Sequence, residues 1–261
     1  SPRCFVCVTG GRTSARSCAV MTNQPQLPAN PVFAALDTTD LDQARGWAEA
    51  LRGHVGGVKT GLEFFSANGA DGVRAIVDLG LPVFLDLKFH DIPNTVAGAV
   101  RAVADLGTAI VNVHAAGGPA MLAAAREAAE QSRGAQRPLV IAVTVLTSLD
   151  DSDLKAVGQS VPAREQVVRL AQLVQSEGLD GVVCSPAEIS AIRDACGPDF
   201  KLIVPGIRPD WAATGDQKRI TTPAQARDDG ADVLVIGRPI TGADDPAAAA
   251  ARIAGELGLA G

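Results

Sequence analysis

The sequence predicts a single-domain α/β protein, a closed (β/α)8 barrel, on three observations. Short apolar runs of β type alternate with longer Ala-rich segments of helical period, and Gly or Pro marks the joins. The alternation repeats eight times between Pro31 and Gly261, close to the roughly 250 residues typical of such barrels. Two fragments, Gly206-Ile-Arg-Pro209 and Gly237-Arg-Pro239, follow the seventh and eighth runs, where barrels commonly bind phosphate.

The first run, Val32–Asp37, ends on an acid and leads to a helical segment at 41–52. Val55–Lys59 ends on a lysine and precedes 63–79, and Val83–Lys88 carries two charges near its end and precedes 94–106. Ala109–His114 leads to 118–132, and Leu139–Leu146 leads through a long connection, Thr147–Ala163, to 164–177. Gly181–Ser185 precedes 187–195, while Leu202–Pro205 runs through a second long connection, Ile207–Thr221, to 223–229. Val233–Gly237 and a helix at 246–257 close the series, and Val-Leu-Val-Ile at 233–236 is continuously apolar, as a strand covered on both faces requires. An open doubly wound sheet instead favours a Gly-rich turn after the first strand, and Asp37-Thr-Thr-Asp40 supplies none. Both long connections follow the C-terminal end of a strand, the face where TIM barrels place their chemistry, and they read as lids.

Composition narrows the partners. Hydrophobic residues make up 47% of the 261 and charged residues 20%, which excludes a disordered chain. Lys plus Arg number 23 against 29 Asp plus Glu, a net charge of −6, so no broad cationic field exists for nucleic acid or an anionic membrane. Apolar stretches such as Pro138 to Leu146 fall short of the about 18 to 20 residues that cross a bilayer, and a soluble, cytoplasmic protein is expected. Three of the five cysteines, Cys4, Cys7 and Cys18, lie at the start, so a disulfide framework is not expected. Cys4-x-x-Cys7 has no second pair and reads as incidental thiols rather than half a zinc site. Residues 1 to 30 are rich in Ser, Arg and Gly and contain no acid, a composition shared with transit peptides. The simpler expectation is an N-terminal extension without a fold, with the natural start at Met21 and the catalytic domain spanning 31 to 261.

The strand ends are polar where the interiors are not: Asp37, Lys59, Asp86 with Lys88, His114, Thr147, Ser185 and Arg238. In a barrel these positions converge on one mouth. The sharpest signal is Val-Phe-Leu-Asp-Leu-Lys-Phe at 83 to 89, which sets two opposite charges into apolar flanks. Side chains alternate along a strand, so Asp86 and Lys88 point the same way. With Lys59 and Asp91 they make a plausible array of alternating charges, in which each ion supports its neighbour's ionised state.

Asp86-Leu-Lys-Phe-His-Asp-Ile-Pro-Asn-Thr95 resembles the signature of the orotidine 5′-phosphate decarboxylase family. The resemblance runs from about Val32 to Leu257, through Asp37, Val58-Lys-Thr-Gly61, Val111-Asn-Val-His-Ala115, Val143-Thr-Val-Leu-Thr-Ser148, Val204-Pro-Gly-Ile-Arg-Pro209, Gln217 and Ile236-Gly-Arg238. It implies conversion of orotidine 5′-monophosphate to UMP, the last step of de novo pyrimidine synthesis, with no metal and no organic cofactor. By the same resemblance Lys88 donates a proton, Asp86 stands beside the leaving carboxylate, and Lys59 completes the array and binds the ribose with Asp37. Thr147, with Ser148 beside it, would bind the pyrimidine, and Arg208, Gln217, the Gly237 amide and Arg238 the phosphate. Asp91 and Thr95 would reach the neighbouring subunit's site, which implies a homodimer.

Two other readings compete with this one. Metal-dependent phosphosugar decarboxylases and synthases on the same barrel share Asp-x-Lys-x-x-Asp, but they carry a magnesium-binding Glu on the second strand, where Lys59 cannot coordinate the ion. A catalytically lapsed nucleotide-binding protein is expected to lose the charge array first, and all four residues are present. His114 reads as a hydrogen-bonded structural residue, His90 as packing or interface, His54 as needing no role, Cys184 as a buried thiol, and Trp47 and Trp211 as core packing and loop cover.

Overall fold

The computed structural model describes residues 26–132, 136–160, 162–212 and 221–259. The readings made for the N-terminal extension, Cys4, Cys7, Cys18, Met21 and Gln217 fall on residues outside these, apart from the last few residues before Pro31.

Eight parallel strands close on themselves in sequence order. They are β1 (Val32–Ala35), β2 (Gly57–Gly61), β3 (Val83–Phe89), β4 (Ile110–His114), β5 (Leu139–Val143), β6 (Gly181–Val183), β7 (Lys201–Pro205) and β8 (Val233–Ile236). Closure is made by β1 against β8, with Val32 opposite Leu234 and Ala34 opposite Ile236. The helices between them are α1 (Leu41–Leu51), α2 (Leu62–Val77), α3 (Pro93–Ala104), α4 (Pro119–Glu130), α5 (Asp151–Ala156), α6 (Ala163–Ser176), α7 (Ile189–Cys196), α8 (Pro223–Asp228), α9 (Arg238–Thr241) and α10 (Pro246–Glu256). The chain is thus the (β/α)8 TIM barrel that the alternation predicts.

Two apolar layers result from the period-two alternation of side chains. One fills the barrel with Phe33, Phe84, Ile110, Ile141, Ile203 and Val235; the other lies between barrel and helices and includes Leu36, Phe64, Leu85, Val111, Met121 and Ile253. Phe33 fits inside because β2 begins with glycine: a Cβ on Gly57 would stand 2.4 Å from the Phe33 ring. The same inward rows become polar toward the mouth, Gly57 leading to Lys59, Phe84 to Asp86 and Ile110 to Asn112. The fold therefore places charges at one end of an otherwise apolar interior.

The boundaries differ from expectation at the mouth. β1 stops at Ala35, β5 at Val143 and β6 at Val183, so Asp37, Thr147 and Ser185 stand beyond the ladder, on the loops. The expected loop 147–163 contains α5, started by a capping box in which Asp150 accepts from Ser152 and Asp153 while Asp153 accepts from the Asp150 N–H. A second short helix, α9, begins at Arg238. Both are one or two turns long, too short to show a helical period in the sequence.

Candidate active site

The end of β3 is irregular. Leu85 pairs with Val111 and Phe89 with Val113, so β3 spends four residues where β4 spends two. Lys88 lies within this bulge at φ 53°, the only non-glycine residue with positive φ among the described residues. Strict alternation is therefore not what brings its side chain to the mouth. The bulge frees the Lys88 N–H from the ladder, and Asn112 Oδ1 accepts it at 2.7 Å.

Around Asp86 the charges alternate. Its Oδ1 accepts from Lys88 Nζ at 2.6 Å and from Asn112 Nδ2 at 2.7 Å, while Oδ2 lies 3.6 Å from Lys59 Nζ. Lys59 Nζ in turn donates to Asp37 Oδ1 at 3.0 Å. Lys59 is buried at 9% exposure, so its ammonium depends on these two carboxylates rather than on water. Burial alone pushes the Asp86 carboxyl up, but the charges of Lys59 and Lys88 and the bonds from Lys88 and Asn112 outweigh it and hold the group below its ordinary value. Asp86 is thus an ionised carboxylate between two ammonium groups.

Asp91 stands apart from these three within the chain. It is exposed, its Oδ1 accepts from the Ile92 N–H at 2.6 Å, and it pairs with neither lysine. Thr95, in the first turn of α3, is also exposed. Thr147 lines, with Lys59, Asp86 and Lys88, a cavity of about 200 Å³ whose remaining wall is mostly apolar, including Phe84, Ile203 and Val235. β7 and β8, which supply part of that wall, run on to Arg208 and Arg238. These two arginines line a second cavity of about 410 Å³ with Trp211 and Gly242. Arg208 is buried and its N–H donates to the Thr221 carbonyl, which ties the end of β7 to the start of α8. Gly237 joins β8 to α9 immediately before Arg238.

His90 and His114 stack beside the array with ring centroids 5.1 Å apart. Burial, His90 and Lys88 together hold the His114 pKa below its ordinary value. Cys184 is fully buried and its thiol pKa is pushed up, chiefly by burial. Trp211 donates to Glu256 at 2.7 Å and lies under the Arg252 guanidinium.

Asn112 belongs to this site although the sequence pattern gives it no role of its own. Its signal was present: a polar side chain between Val111 and Val113, two residues beyond the inward Ile110.

Residues 30–253 match the orotidine 5′-phosphate decarboxylase / HUMPS family. The chain is 58% identical over 233 residues to the orotidine 5′-phosphate decarboxylase of Paramagnetospirillum magneticum, covering 88% of this chain and 99% of that one. It is 57% identical over 236 residues to that of Rhodospirillum rubrum, covering 89% and 96%. Among solved structures, the orotidine 5′-phosphate decarboxylase of Lactobacillus acidophilus superposes with a TM-score of 0.79 at 38% identity, over 87% of this chain and 99% of that chain.

Proposed function

The chain belongs to the orotidine 5′-phosphate decarboxylase / HUMPS family, and on that premise we propose that it is a carboxy-lyase converting orotidine 5′-monophosphate to UMP in pyrimidine biosynthesis. The observation that carries this reading is the Lys59–Asp86–Lys88 array at the rim of a largely apolar cavity.

The reaction breaks the bond between C6 of the pyrimidine and its carboxylate carbon. Carbon dioxide leaves and the electron pair stays on C6, in the plane of the ring, with no adjacent carbonyl to delocalise it. Stabilisation must then come from fixed charge already in place. The Lys88 ammonium supplies that charge and donates the proton that completes UMP. Asp86 stands where the substrate carboxylate would lie and holds Lys88 in position; Lys59 balances Asp86 and, with Asp37, takes the ribose hydroxyls. Thr147 binds the pyrimidine edge. Arg208, Gln217, the Gly237 amide and Arg238 hold the phosphate, whose binding energy acts far from the reacting bond. Asp91, which is exposed and pairs with neither lysine of its own chain, and the exposed Thr95 would complete the site of a second copy, so the working form is a homodimer. It acts in the cytoplasm without metal or organic cofactor.

A magnesium-dependent phosphosugar enzyme of the same family is the less favoured reading, because Lys59 places an ammonium, held by Asp37 and Asp86, where that chemistry needs a ligand. Mixing purified protein with orotidine 5′-monophosphate and following the ultraviolet absorbance decides between them. Conversion to UMP unaffected by EDTA is expected; no conversion, or activity restored only by magnesium, overturns the reading.

A further inference from the structure

We infer that Asn112 is a positioning residue for the decarboxylation, fixing the Lys88 backbone and the Asp86 carboxylate to each other through the two ends of one amide. The inference rests on the function proposed above.

Asn112 is fully buried, and both ends of its amide are engaged. The Lys88 N–H can only donate and an ionised Asp86 can only accept, so the amide has a single orientation that satisfies both. Oδ1 takes the Lys88 N–H at 2.7 Å and Nδ2 gives to Asp86 Oδ1 at 2.7 Å. That oxygen also receives Lys88 Nζ. The three residues therefore form a closed ring: the Lys88 backbone to Asn112, Asn112 to Asp86, and Asp86 back to the Lys88 side chain. Lys88 holds a left-handed backbone that a residue with a Cβ adopts only where its surroundings enforce it. The bond to Asn112 is such an enforcement, since the bulge leaves the N–H no ladder partner.

The groups facing Asp86 are Lys59 from β2, Lys88 from β3 and Asn112 from β4. His114 follows on β4, and the β5 residue in register with Asn112 is the apolar Ile141. An alanine at 112 removes both bonds. An aspartate keeps the acceptor for the Lys88 N–H, but it donates to Asp86 only while protonated and repels it when ionised.

The test measures kcat and KM for wild type, Asn112→Ala and Asn112→Asp between pH 5 and 8, with thermal unfolding to verify the fold. For Asn112→Ala we expect kcat to fall by about 10²-fold, the scale of a small misplacement of a catalytic group, with little change in KM. For Asn112→Asp, kcat relative to wild type rises as pH is lowered. If the alanine variant does not fold, the pH series of the near-isosteric Asn112→Asp decides alone. A kcat within threefold of wild type, or an Asn112→Asp whose ratio to wild type is flat with pH, overturns the inference. If wild type itself fails to turn over the nucleotide, the proposed function fails instead.

Discussion

Lys88 Nζ lies 2.6 Å from Asp86 Oδ1, and Lys88 reaches that position from a left-handed backbone at φ 53° inside a bulge. A regular strand end would leave the ammonium where pleating put it. Here the chain departs from the regular pattern at the one residue assigned to proton delivery, which is where stored strain has a use. The groups that hold it, Asn112 and Asp86, lie on β4 and β3 of the barrel wall.

Asp91 predicts shared sites. Because it pairs with neither lysine of its own chain, Lys88→Ala and Asp91→Ala chains, each nearly inactive alone, should complement when unfolded and refolded together. In a mixed dimer one site carries both lesions and the other neither. Random pairing of equal amounts then restores about a quarter of wild-type sites. Steady-state assay of the refolded mixture, with mass-tagged subunits to verify exchange, measures this; exchange without recovery places Asp91 in its own chain's site.

Arg238 predicts a phosphate-specific effect. It lines the second cavity with Arg208, and a guanidinium grips phosphate oxygens in a two-pronged way that few side chains replace. Arg238→Ala should raise KM for the nucleotide by about 10- to 100-fold, the value of a charged hydrogen bond. It should change kcat/KM for the phosphate-free nucleoside by much less, and equal losses on both substrates would remove Arg238 from the phosphate site.

The His114 contribution to the pH dependence of stability has a predictable sign. The His114 pKa is depressed in the folded chain by burial, His90 and Lys88, so as pH falls below the ordinary value of 6.5 the unfolded chain takes up the proton first. The His114 contribution to stability is therefore full above that value and is lost as pH is lowered toward the folded pKa. Asp86, also depressed, adds its loss only below the ordinary 3.8. Thermal unfolding of wild type and His114→Gln should converge in slope above pH 7 and diverge between pH 6.5 and 5, with the variant flatter.

Gly181 predicts a purely structural cost. A Cβ there would stand 2.1 Å from the Lys201 carbonyl oxygen on the neighbouring strand. Gly181→Ala should destabilise by about 1–3 kcal/mol, as overpacking does. That corresponds to roughly 2 to 12 °C in Tm for a chain of this size, and a calorimetric scan measures it.

The barrel was legible in the sequence because eight apolar runs and their helices repeat a period that few folds share. The mouth was legible as a set of residue types and not as geometry. Asp86 and Lys88 were placed on one side by alternation, yet the bulge, invisible in the sequence, is what sets Lys88. Asn112 stands in the motif Val111-Asn-Val-His-Ala115, yet its role was not legible there, since the flanking valines read as one more buried strand and only the bulge supplies the N–H that its amide oxygen accepts. α5 and α9 were missed because one or two turns carry too little periodicity to separate from a loop.

The claim that fixed charge on β3 performs the chemistry is tested most directly by Lys88→Ala, with turnover of orotidine 5′-monophosphate and affinity for UMP measured on the same folded sample. Removing the residue proposed as both the charge at C6 and the proton source should lower kcat by at least about 10³-fold while the variant still binds UMP, because the residues proposed to hold the phosphate are untouched. Turnover within tenfold of wild type, with UMP affinity unchanged, would contradict the account.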